Sequence, residues 1–147
     1  MFKKFIATDS DRTTLILRLT LALVFFPHGA QKVLGWFGGY GFSGTMGFFT
    51  ETMGLPWLLA FLVVMAEFLA PIGLTLGLLT RGAAFGILAV MLGAIATVHG
   101  KVGFFMNWYG NQQGEGFEYH LLAIGLALAV LIKGGGAWSL DRRLSEG

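Results

Sequence analysis

Phe25-Phe26-Pro27-His28-Gly29-Ala30-Gln31-Lys32 closes an apolar run that begins near Thr13. At 1.5 Å per residue a helix of that length crosses a hydrocarbon core of about 30 Å. The stretch therefore carries a proline, an imidazole and an ammonium to the far end of a membrane span. Arg18, Ala22, Phe25, Gly29 and Lys32 recur at helical spacing, so two cations share one face with a ring and two small residues. An unpaired charge in lipid costs at least about 2.5–3.5 kcal/mol, which predicts that this stripe faces protein. The alternative is that Arg18 and Lys32 reach along the helix to opposite headgroup layers.

The rest of the chain has the same character. Its 147 residues are 55% hydrophobic and only 12% charged, with a mean hydropathy of +0.71. That length predicts one domain, residues 1–147, and that composition a membrane protein. The first span is too long for the apolar core of a secretory signal and is expected to be retained. Further spans are expected at about 57–79, 83–99 and 118–132 beside the first at 13–34, giving an all-α, polytopic, antiparallel four-helix transmembrane bundle. Met1 to Phe5 reads as a short interfacial piece, and Asp9-Ser10-Asp11 as a helix N-cap. Phe42 to Met53 reads as a short interfacial helix, and Thr80-Arg81-Gly82 as a tight turn. Pro71 removes the helical hydrogen bond to the Glu67 carbonyl, so span two is expected to bend there. Gly73-xxx-Gly77, Gly82-xxx-Gly86 and Gly125-xxx-Ala129 suit close helix contact in lipid.

Lys3, Lys4, Arg12, Arg18, Arg81, Lys133, Arg142 and Arg143 fall on one side of this arrangement, against Lys32 and Lys101 on the other. The bias predicts that both termini and the Arg81 turn are cytoplasmic, and the two longer connections outside. Nucleic acid is not implied by a net charge of +2.

Each remaining span brings an ionisable group to the outer half: Glu67, His99, and Glu118 with His120. Glu67 lies about 15 Å below the surface, too deep to reach water, and needs a partner or a proton. Lys32, His28 and Arg18 are the candidates. A polar pocket lined by His28, Gln31, Lys32, Glu67, His99, Glu118 and His120 is expected. The chain has no cysteine, which excludes thiolate clusters, thiolate zinc and thiol redox chemistry. Haem or metal ligation by His and Glu is less favoured, because no His-x-x-x-His or Glu-x-x-His spacing occurs. Trp36, Phe37, Trp57, Trp108 and Tyr109 read as an interfacial belt whose rings could also border a pocket for a quinone.

In order, His28-Gly29-Ala30-Gln31-Lys32, Glu67, Gly77-Leu78-Leu79-Thr80-Arg81, Ala94 through His99, Glu118 and Ser139-Leu140-Asp141 resemble the DoxX family over about Leu15 to Leu144. The resemblance implies a small four-helix protein of the bacterial inner membrane, similar to subunits of thiosulfate- or quinone-linked oxidoreductase complexes. It carries over to His28, Lys32, Glu67, Arg81, His99 and Glu118, with Arg81 structural. The expectation is a membrane component of an oxidoreductase system that binds a quinone. Glu67 and His99 would exchange protons as catalytic groups. His28, Gln31, Lys32, Arg18, Glu118 and His120 would bind, and a partner redox protein or small reductant would supply electrons. Two alternatives stand beside it: a proton-coupled site for a small anion, held by Lys32 and Arg18 and enclosed by homo-oligomerisation, or an assembly subunit whose polar groups set helix register.

Overall fold

A computed structural model of the protein describes residues 2–146; Met1, the first residue of the expected interfacial piece, lies outside them. The described residues are helical, without strands. In chain order the helices are α1 (Phe2–Ile6), α2 (Arg12–Leu34), α3 (Gly41–Gly47), α4 (Trp57–Leu76), α5 (Thr80–Thr97), α6 (Glu118–Lys133) and α7 (Leu140–Glu146). A single wide turn, Phe48–Thr52, extends α3. Helix α2 packs on α4 and α6, and α5 packs on the same two, so the four longest helices close a ring around one core. The core is made of Leu21, Ala22, Phe25, Leu74, Ile87, Ala123, Ala127 and their neighbours. Small side chains at these crossings let the helices approach closely.

The outward faces are apolar too. Leu23, Leu62, Phe85 and Leu122 are all more than half exposed. Contiguous exposed hydrocarbon of this kind marks a surface made for lipid. Helices α2, α4 and α5 are long and apolar enough to cross a membrane. This is a membrane protein.

Local chemistry sets the ends of α2. The Asp11 carboxylate accepts from the Thr13 amide at 2.8 Å, and Gly35 stops the helix in the left-handed region at φ 72°. The turn between α4 and α5 differs from expectation. Gly77, also left-handed, ends α4, with the Leu78 amide donating to the Gly73 carbonyl at 2.9 Å. Helix α5 then begins at Thr80, because the buried Asp141 carboxylate accepts from the Leu79 and Thr80 amides at 2.7 and 2.8 Å. The cap for α5 thus comes from 61 residues away, and the turn is Gly77–Leu79 rather than Thr80-Arg81-Gly82. The tail carrying Asp141 is tied into the protein by this contact.

The termini share the end of the molecule occupied by that turn. Arg81 donates to the carbonyls of Phe5, Ala7, Leu131 and Ile132, joining α1, α5 and α6. Lys133 pairs with Asp9 and Asp11 at 3.2 and 3.5 Å. Hydrogen bonds from the Asp11 and Thr13 amides hold the Asp9 and Asp11 carboxyls below the usual carboxylate range, assisted by Lys133.

The expected glycine contacts are partly different. A side chain on Gly82 or Gly125 would meet no neighbouring element, whereas one on Gly86 would touch Ala66. The tightest crossing of the long helices is at Gly29, where a methyl group would collide with the Glu67 carbonyl and the Phe68 Cα. Pro71 has removed that carbonyl's helical donor, and the backbone of α2 packs against it.

Candidate functional site

Close approach at Gly29 places the C-terminal part of α2 directly against α4 at Glu67. Lys32, one turn further along α2, donates from Nζ to Glu67 Oε2 and forms an ion pair with it. The Glu67 side chain is 9% exposed and the Lys32 side chain 25%, so the pair is screened from bulk water mainly on the carboxylate side. The stripe of Arg18, Ala22, Phe25 and Gly29 is buried, facing the interior.

The pair opens onto a cavity of about 400 Å³. His28, Lys32, Glu67, His99 and His120 all line it, so five of the residues expected at a pocket meet in one space. His99 lies just past the end of α5, and its Nδ1 is 2.8 Å from the Glu115 carbonyl. A carbonyl can only accept, so Nδ1 carries the proton and Nε2 is left as the acceptor. The His99 and His120 ring centroids are 4.1 Å apart, at 42°. One flank is apolar: Phe25, Met91, Ala94 and the ring of Tyr119, with Phe25 and Tyr119 near parallel at 6.5 Å.

Three expected residues do different work. Arg18 does not reach the cavity and does not snorkel. It is 1% exposed, and its five N–H groups donate to the carbonyls of Leu74, Thr75, Gly135, Ala137 and Trp138. This is a guanidinium filling a cage of chain ends at the termini side. Two of its acceptors belong to the last turn of α4, where the helix dipole favours a cation. Gln31 donates to the Phe37 carbonyl at 3.2 Å and borders a smaller cavity of about 240 Å³ with Tyr40, Thr45 and Phe49, which shares Lys32 with the larger one. Glu118 is not among the lining residues. Its Oε1 accepts from the Met106 amide at 2.9 Å and Trp108 Nε1 at 3.0 Å, pinning the connection between α5 and α6.

That pinned connection adds residues that the expected pocket omitted. Met106 and Glu115 line the large cavity, and Glu115 Oε2 accepts from the Asn107 amide at 2.7 Å. Tyr119 lines the cavity as well. Its place between Glu118 and His120 was the available signal. Among the described residues no group of three or more His, Asp or Glu side chains could hold a metal ion.

A model of the DoxX family matches residues 13–100. Among curated proteins, "Putative oxidoreductase CatD" of Bacillus subtilis (strain 168) is 32% identical over 117 residues, covering 80% of this chain and 77% of that protein. No solved structure matches.

Proposed function

We propose that this chain, which belongs to the DoxX family, is the quinone-binding membrane component of an oxidoreductase system. The observation that carries this reading is the cavity itself, where the Lys32–Glu67 pair and three imidazoles border an apolar flank of Phe25, Met91 and Ala94. A flat apolar ring edged by oxygen atoms suits such a space, since the flank takes the ring and a few polar groups orient it. The relative named as an oxidoreductase supports the same class of chemistry.

Reduction of a quinone to its quinol takes two electrons and two protons. The chain has no cysteine, so the electrons come from a partner redox protein or a small reductant. Lys32 or His28 donates a hydrogen bond to one carbonyl oxygen. The Glu67 carboxylate and the bare Nε2 of His99 each take a proton from water and pass it on as negative charge develops on the oxygens. Use of the same space for an anion is disfavoured, because Arg18, the second cation that reading requires, has all its donors engaged elsewhere.

In the membrane, α2, α4, α5 and α6 form an antiparallel four-helix bundle. Helix α6 has 16 residues, about 24 Å, so its span relies on local thinning of the bilayer. The bias of basic residues toward the termini supports a cytoplasmic position for that end in a bacterium, and with it a cavity in the periplasmic half of the inner membrane. The test is organic extraction and mass spectrometry of gently solubilised protein. Stoichiometric quinone that is lost in a His28→Ala, Lys32→Ala double variant is the expected result. Quinone absent from the wild type, even after incubation with excess, would overturn the proposal.

A further inference from the structure

The large cavity has a second polar side that the ion pair does not explain. Tyr119 Oη and His120 Nδ1 are both buried, and neither has a hydrogen-bond partner among the described residues. Both residues line the cavity, and His120 is only 5% exposed. Folded proteins pair the large majority of buried polar atoms, because one left unpaired keeps its desolvation cost. The third such atom among the described residues is Thr80 Oγ1, at the termini end. Two orphans on consecutive residues of α6, both of them residues that line one cavity, call for a partner that the chain does not supply.

We infer that Tyr119 and His120 form a second polar pole on α6, opposite the Lys32–Glu67 pole on α2 and α4, and that the ligand spans the cavity between them. Such a ligand carries two hydrogen-bonding oxygens on opposite edges of an apolar ring. The inference deepens the quinone reading and rests on it. It adds Tyr119 as a ligand-binding residue and requires both oxygens to be held. The tyrosine hydroxyl donates to a carbonyl oxygen of the ligand. His120 Nδ1, with its proton on Nε2, accepts from the hydroxyl that replaces the carbonyl on reduction. A pole with one donor and one acceptor serves both forms, and Phe25 beside the Tyr119 ring is part of the apolar lining.

The test compares 1,4-naphthoquinone with 1-tetralone, a fused ring of similar size with one carbonyl, by equilibrium dialysis against protein in nanodiscs and against empty nanodiscs. The absence of cysteine removes thiol addition to the quinone as a complication. The expected result is that the wild type prefers the dicarbonyl by roughly three- to tenfold, as one added neutral hydrogen bond gives. Tyr119→Phe should lose that preference while unfolding at or above the wild-type temperature without ligand, because it removes an unpaired buried hydroxyl. If the wild type binds naphthoquinone and Tyr119→Phe keeps the preference, the second pole is wrong and the quinone reading stands. Marked loss of thermal stability in ligand-free Tyr119→Phe would assign the hydroxyl a structural bond and also overturn the inference. A wild type that binds neither compound would overturn both.

Discussion

Replacing Arg18 tests how the termini end is held together. The guanidinium is 1% exposed and supplies five hydrogen bonds to backbone carbonyls. The Leu74 carbonyl also accepts from the Gly77 amide at 3.2 Å, which leaves four carbonyls with no other donor among the described residues. A lysine offers three donors from one point, so at least one of the four is abandoned in Arg18→Lys. At about 1–3 kcal/mol for each buried unsatisfied group, that variant loses about 1–3 kcal/mol. Arg18→Met abandons all four and leaves the buried Asp141 carboxylate without its nearby cation. The Gly135 and Ala137 carbonyls are the fully buried ones among them, so the variant's loss is about 2–6 kcal/mol, less whatever entering water restores. With about 2–4 °C per kcal/mol for a chain of this size, thermal unfolding in mild detergent should fall by about 2–12 °C for the lysine variant and further for methionine. Equal unfolding temperatures for the two variants would show that donor number is not what matters. A methionine variant within about 2 °C of the wild type would refute the cage altogether.

Gly29→Ala drives a methyl group into the Glu67 carbonyl; overpacking of this kind costs about 1–3 kcal/mol, and the same thermal assay should show the drop, whereas Gly125→Ala, with open space around it, should be tolerated. Glu67→Gln leaves the Lys32 ammonium unpaired and should destabilise by on the order of 3 kcal/mol, with much of the loss recovered in Lys32→Met, Glu67→Gln; a coupling energy near zero in that cycle would remove the ion pair as a structural element. The Asp9 and Asp11 carboxyls are depressed below 3.8, so what they contribute is complete above that pH and is lost as pH falls through their lower folded values. The protection of the Asp11 and Thr13 amides, that is, their hydrogen exchange relative to the intrinsic rate at each pH, should fall only below about pH 3.8, and a fall between pH 5 and 7 would contradict the assignment.

Properties that depend on a few neighbouring residues were legible in the chain. The Asp11 cap, the inward stripe from Arg18 to Lys32, the start of α6 at Glu118 and the convergence of His28, Lys32, Glu67, His99 and His120 follow from helical period, capping chemistry and the cost of charge in lipid. Those are local or one-dimensional rules, and the bilayer adds depth as a shared coordinate, so groups at equal depth could be expected to meet. Lateral placement has no such coordinate. Which carbonyls would surround Arg18, that Asp141 would cap α5 and move its start to Thr80, that Glu118 would pin the loop over the cavity, and that Tyr119 would face it, all depend on segments twelve to 120 residues apart being packed side by side. Spacing along the chain carries no information about such pairings, because they are chosen by the close packing of small-residue surfaces such as Gly29 on Glu67, and only the folded protein brings those surfaces together.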